Sequence, residues 1–180
     1  VDYDMWLGPA PDRPFNTNRF HFTFRWFWDY AGGLMTDWGV HLLDVVIWGM
    51  NATTPNRIVS SGGNFAYPNS AMETPDTQQA IFEFPDFTMI WEHANGIGLG
   101  PHQRSHGISF IGNNGTLIVD RGGWEVLSEI ENEQGVKKSK VEPVERRSAK
   151  PGETGLAQHT SNFVNAIRQN EELNCDINVG

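Results

Sequence analysis

Hydrophobic and polar positions change their rhythm three times along the chain. Residues 1–31 are dense in Trp, Phe, Pro and Asn and follow neither a period of two nor one of 3.6. WLGPAPDRPFN, starting at Trp6, holds three prolines, so an extended, meandering path is expected there. RFHFTFRWF, from Arg19 to Phe27, alternates in part and suggests a short strand. After Gly32-Gly33 the period lengthens, and a helix is predicted from about Leu34 to Gly49, with Gly49 and Asn51 as candidate C-terminal caps.

From about Asn56 the signal turns to strands. RIVSSGGNF, TQQAIFEFP, TMIWEHAN, HGISFIG, GTLIVD and WEVLSEI are short β-rich runs bounded by Gly, Pro or Asn. FPDF and GNNGT read as hairpin turns, the second holding an Asn-Gly pair suited to positive φ. The charged stretch 131–155 has almost no large apolar residue and reads as a surface loop with room for one edge strand. A last helix is predicted from about Gln158 to Asn170 on Phe163, Val164, Ala166 and Ile167, followed by the strand-like CDINV. Helices at both ends of a run of hairpins imply an α+β fold: an open, predominantly antiparallel sheet with helices on one face. The other face must meet solvent or a second copy, so homo-oligomerisation through the sheet is expected.

Composition narrows the partners. The length of 180 residues suits one domain with a real core. A net charge of −9 and no basic cluster argue against nucleic acid. No apolar run reaches the ~20 residues a membrane span needs. The single cysteine, Cys175, excludes an internal disulfide. The chain starts at Val1 and stops at Gly180 just after a strand-like run, so it is expected to be a piece of something longer, with its compartment left open.

Candidate chemistry sits in the first long helix, in GGLMTDWGVHLLD. At about 100° per residue from Asp37, His41 falls near ~40°, Asp44 near ~−20° and Trp48 near ~20°. Leu42, Leu43 and Val46 fall on the opposite side, at roughly 140° to 240°. The ionisable residues therefore share one stripe. Four readings compete: a hydrogen-bonded piece of core, a metal site, a histidine general base tuned by a carboxylate, and a sugar-binding platform of acids and aromatics. Trp6, Trp26, Trp28 and Trp38 are suited to stacking on sugar C–H faces, although such residues are more often core. A metal site wants three or four ligands, and the remaining histidines are too scattered to complete one. A histidine suits acid–base work because its ordinary pKa of ~6.5 moves readily across neutrality. The residues alone leave core and catalysis undecided.

Four longer stretches, in order, resemble the substrate domain of the Gfo/Idh/MocA oxidoreductases. They are WLGPAPDRPFN with RFHFTFRWFWDYAGG; TDWGVHLLDVVIWGM, which meets D-x-G-x-H-x-x-D at Asp37, Gly39, His41 and Asp44; SHGISFIGNNGTLIVD; and HTSNFVNAIRQN. That resemblance implies an α+β C-terminal domain working with an N-terminal Rossmann domain that binds NAD or NADP. No G-x-G-x-x-G after a strand occurs in this chain. GIGLG, at Gly96–Gly100, is followed by PHQRSHG rather than a helix and reads as a loop. The family's Glu-Lys-Pro element, which supplies a lysine, is missing as well.

The same resemblance implies roles. His41 would be the acid/base on a secondary alcohol of a sugar, polyol or glycoside. Asp37 would bond a substrate hydroxyl or hold the imidazole, and Asp44 would orient it from behind. Gly39 would keep the helix surface open to cofactor or sugar, or else serve close packing. Arg25, Trp26, Trp28 and Asp29 would line the sugar pocket. His159, at the start of the last helix, would point to the site or cap the helix. Two alternatives stand beside the dehydrogenase: an NAD-dependent glycoside-cleaving enzyme of the same family, and a non-catalytic carbohydrate-binding domain.

Overall fold

A computed structural model describes residues 1–150 and 155–177. They form two compact units, Val1–His106 and Gly107–Gly180. The first unit opens with a short helix, α1 (Tyr3–Leu7), which takes in only the first two residues of the stretch expected to be extended; residues 11–16 carry no regular element, as expected. The Asp2 carboxylate accepts from Met5 N at 3.0 Å and starts the turn, and Gly8 ends it at φ 53°. The stretch read as a strand is instead a 3-10 helix, His21–Trp26, preceded by another at Thr17–Arg19. Its half-buried positions run continuously from Thr23 to Trp26 instead of alternating. Tertiary ring contacts among Tyr3, Trp6, Phe15, Phe20 and Tyr30 override the weak period of two.

Helix α2 (Gly33–Gly49) matches the predicted span. Its end is a Schellman turn. Ala52 N–H donates to Ile47 O at 3.0 Å and Asn51 N–H to Trp48 O at 3.2 Å, while Asn51 sits at φ 49°. Asn51 is thus the left-handed cap residue; Gly49 is still helical. At the other end Gly33 is buried at φ +68°, and a Cβ there would lie 2.7 Å from the Thr74 side chain. Thr74 is in turn fully buried. Its N–H and that of Glu73 donate to Trp26 O, so the 3-10 segment and the start of α2 are both pinned to residues 73–74.

Strands β1 (Arg57–Gly63), β2 (Thr77–Glu83) and β3 (Thr88–Ala94) form an antiparallel sheet in that order. β3 alternates cleanly, with Met89, Trp91 and His93 buried and Ile90 exposed. α2 packs against β3 through its half-buried side. FPDF makes the expected β2–β3 turn, closed by Phe84 N–H to Phe87 O at 3.0 Å. Below β2 a buried polar cluster fixes the loop at 64–67. The fully buried Asp76 carboxylate accepts from Phe65 N, Tyr67 N and Thr77 Oγ1. Burial pushes this carboxyl up, but those donors outweigh it and hold its pKa below the usual range.

The second unit carries an antiparallel sheet ordered β4-β5-β6-β9, namely Ile108–Ile111, Gly115–Asp120, Gly123–Ser128 and Val144–Ser148. The GNNGT turn is where expected, closed by Gly112 N–H to Gly115 O, but Asn113, Asn114 and Gly115 keep negative φ. Residues 131–155, read as loop, contribute a hairpin, β7 (Ile130–Glu133) with β8 (Val136–Ser139), and the edge strand β9. Alternate charges solvate both faces of that hairpin, so it carries no hydrophobic signature. Helix α3 (Leu156–Ile167) sits two residues earlier than predicted at its start. The described part of CDINV, Cys175–Ile177, is not a strand, and the rest lies outside the described residues. The α+β, antiparallel expectation holds, with the strands divided among separate ladders.

Candidate functional site

The α2 stripe faces outward. His41 and Asp44 are exposed, Trp48 is 82% exposed, and Leu42, Leu43 and Val46 are half-buried on the packed side. That disposes of the core reading for His41 within this unit, because an imidazole in the core would be buried and partnered. Asp37, at the N-terminal end of the stripe, is half-buried and is met by Arg25 from the 3-10 segment. Arg25 Nη1 lies 2.8 Å from Asp37 Oδ2, with the two side chains 21% and 30% exposed. Arg25 Nε and Asp37 Oδ2 have no hydrogen-bond partner among the described residues, so the contact is a charge pair whose angles fall short of a hydrogen bond. The Arg25 guanidinium also stands 4.2 Å over the Phe22 ring and 6.0 Å from that of Trp26. Asp37 is therefore oriented by an arginine twelve residues upstream.

The other expected residues divide. Asp29 is paired with Arg13 and is not joined to the Arg25–Asp37 contact. Trp26 is half-buried and uses its carbonyl to hold residues 73 and 74. Trp28 is exposed, and its N–H donates to Glu73 Oε2 at 2.9 Å. Gly39 is buried at roughly 200° from Asp37, on the packed side of the helix. A Cβ there would meet Met35 Sδ, Leu34 O and Leu43 Cδ1 at 3.6–3.7 Å, an ordinary contact. His159 lies in the second unit, in the second turn of α3; Gly155 is the N-cap and no side chain caps the helix, so the capping alternative fails. Among the described residues no three His, Cys, Asp or Glu side chains cluster as a cation site requires, and no helix is long and apolar enough to cross a membrane.

One contact at the site escapes sequence reasoning, in which Trp38 is only one of four tryptophans suited to stacking on a sugar. Trp38 meets His106 edge to face, with ring centroids 5.0 Å apart and planes at 74°. His106 Nδ1 lies 3.0 Å from Ser105 Oγ. Sixty-eight residues separate Trp38 from His106, so no local pattern could pair them. The only sequence signal was the HG of SHGISFIGNNGT, which marked a hairpin and not a side-chain contact.

With this geometry in view, the comparisons with known proteins give a partial likeness. The family profile described as "Oxidoreductase family, C-terminal alpha/beta domain", of the Gfo/Idh/MocA group, matches residues 1–62, the stretch holding the 3-10 segment and all of α2. Over those residues the chain is similar to the C-terminal domain of that family. Two solved structures share its fold. One is the candidate oxidoreductase yvaA of Bacillus subtilis, at 12% identity and TM-score 0.53, covering 79% of this chain and 44% of that one. The other is the biliverdin reductase of Synechocystis, solved with biliverdin and NADP+, at 13% identity and TM-score 0.50, covering 96% of this chain and 46% of that one. The chain thus spans under half the length of the structures it matches. No curated protein matches it. Within it, every described strand pairing is antiparallel, so the described residues contain no parallel βαβ unit for a dinucleotide.

Proposed function

We propose that this chain is the substrate-side domain of an NAD(P)-dependent oxidoreductase that oxidises a secondary alcohol of a sugar, polyol or glycoside. The observation that carries the reading is the exposed His41, one helical turn from an Asp37 carboxylate that Arg25 holds in place. Oxidation of an alcohol removes a hydride from carbon and a proton from oxygen. The nicotinamide, held mainly by an N-terminal Rossmann domain of the whole protein, supplies the hydride acceptor. His41, whose imidazole is accessible, takes the hydroxyl proton as a general base. Asp37, held in place by the adjacent guanidinium, accepts a hydrogen bond from a second substrate hydroxyl and faces the imidazolium that forms. Asp44, one turn beyond His41 on the same stripe, orients the ring from behind. Arg25, Trp26 and Trp28 form the wall on the Asp37 side. Gly39 serves helix packing and not dinucleotide contact.

The whole protein forms a homo-oligomer through the outer face of the three-stranded sheet. Support comes from a cross-strand row, Val59–Ile81–Ile90, which is 54%, 40% and 65% exposed. Such a row is costly to leave in water. The functional test offers the intact oxidoreductase a panel of ring polyols, sugars and glycosides with NAD+ or NADP+, and biliverdin with the reduced cofactors. Reduction of the nicotinamide by at least one polyhydroxylated substrate is expected. No turnover with the panel, or turnover of biliverdin alone, overturns the reading.

A further inference from the structure

The stripe of α2 is bounded on two sides, and only one of them belongs to the site as the sequence drew it. Measured around the helix from Asp37, His41 lies near ~40° and Trp38 near ~100°. His41 therefore sits between two side chains that are each held from outside the helix. Arg25 holds Asp37. On the other flank, the His106 ring packs edge to face on the Trp38 indole, and Ser105 Oγ bonds His106 Nδ1. Trp38 nevertheless stays 42% exposed, so the histidine covers only part of the indole. An indole fixed by a second ring and left partly open presents a flat apolar surface at a set angle. A free indole at the same place would sample several rotamers and would have to be ordered by the ligand.

We infer that His106 is a positioning residue, which locks Trp38 as the stacking wall for the C–H face of a ring-shaped, polyhydroxylated substrate whose reacting hydroxyl meets His41. The inference rests on the proposed function, and it adds a wall and a residue to it. His106 does not exchange protons with substrate. Its ring shape is what counts, and Ser105 fixes the ring's rotation through Nδ1. A neutral aromatic of similar size therefore substitutes for it, whereas a small side chain does not.

The test uses the intact oxidoreductase and the ring polyol with the highest turnover in the panel above. His106→Ala is expected to raise KM for that substrate about fivefold or more, with kcat within about twofold, as loss of binding common to ground and transition states requires. His106→Phe is expected to restore most of the wild-type KM. Trp38→Ala raises KM as much as His106→Ala, and the double variant adds little, because both remove the same wall. In parallel, the Trp38 indole N–H resonance shifts in His106→Ala and returns toward its wild-type position in His106→Phe. An unchanged KM in His106→Ala overturns the inference, whether or not the indole resonance moves. So does a His106→Phe variant that fails to recover KM although its indole resonance does. Absence of turnover with every polyol is a different result: it defeats the proposed function itself. Turnover with an indifferent His106 defeats only the wall.

Discussion

Two glycines of α2 should respond in opposite directions to the same methyl group. Gly33→Ala places an L side chain at φ +68° and a Cβ 2.7 Å from Thr74, a residue with no exposed surface into which to retreat. The left-handed backbone costs about 1–2 kcal/mol. Forcing a methyl into a packed contact costs about 1–3 kcal/mol more. Together these amount to about 3 kcal/mol. Gly39→Ala, six residues on, meets only contacts of 3.6–3.7 Å in regular helix. There the gain in helix propensity applies, and about 0.5–1 kcal/mol of stabilisation is expected. Urea unfolding followed by tryptophan fluorescence reads this directly, because six of the seven tryptophans lie in Val1–His106. Thermal midpoints should fall by roughly 10 °C for Gly33→Ala and rise by about 2 °C for Gly39→Ala, at about 2–4 °C per kcal/mol. A Gly33→Ala chain as stable as wild type would refute the account of how α2 is pinned. A Gly39→Ala chain that loses stability would show that Gly39 faces something tighter than its own helix.

Three further outcomes follow from the same structure. His93 accepts from Trp91 Nε1 at 2.9 Å and places Nε2 3.2 Å from Pro75 O, so it is the neutral Nε2–H tautomer, and burial pulls its pKa below the ordinary value despite Pro75 and Asp76. The unfolded chain binds a proton there first, so this stability is complete above about pH 6.5 and is lost as pH falls toward the depressed folded value. His93→Gln should flatten the fall in urea midpoint between pH 7.5 and 5; an unchanged slope would show that His93 contributes nothing. The isolated 180-residue chain is expected to bind neither NADH nor NADPH measurably by calorimetry, since its described strands are all antiparallel; a saturable isotherm would contradict that. Ile90→Lys, at the most exposed position of the Val59–Ile81–Ile90 row, should lower the oligomeric state of the intact protein in sedimentation velocity, and an unaltered sedimentation coefficient would remove the sheet face as the interface.

How much of this was legible beforehand depends on whether the deciding contact is local. α2 was readable because its own period of 3.6, its Gly start and its Asn51 cap all lie within twenty residues. The turns at FPDF and GNNGT were readable for the same reason, although the Asn-Gly pair suggested a positive φ that the four-residue turn does not need. The N-terminal aromatics were misread because ring packing among Tyr3, Trp6, Phe15, Phe20 and Tyr30 decides their conformation. The β7–β8 hairpin was missed because a solvated hairpin buries nothing and so leaves no alternation to find. At the site, the shared stripe of Asp37, His41 and Asp44 came from helical geometry alone. The partners that orient it did not: Arg25 reaches Asp37 across a turn, and His106 reaches Trp38 across the whole three-stranded sheet in sequence. Gly39 carried a motif position, while helical spacing already put it on the side of Leu42 and Leu43; the structure adds that it is buried there with room for a methyl group.

The most direct test of the central claim is the turnover of His41→Ala in the intact protein. A drop of about 10²-fold or more, with nicotinamide affinity unchanged, is the expected result for removal of the acid/base. Turnover equal to wild type would contradict it.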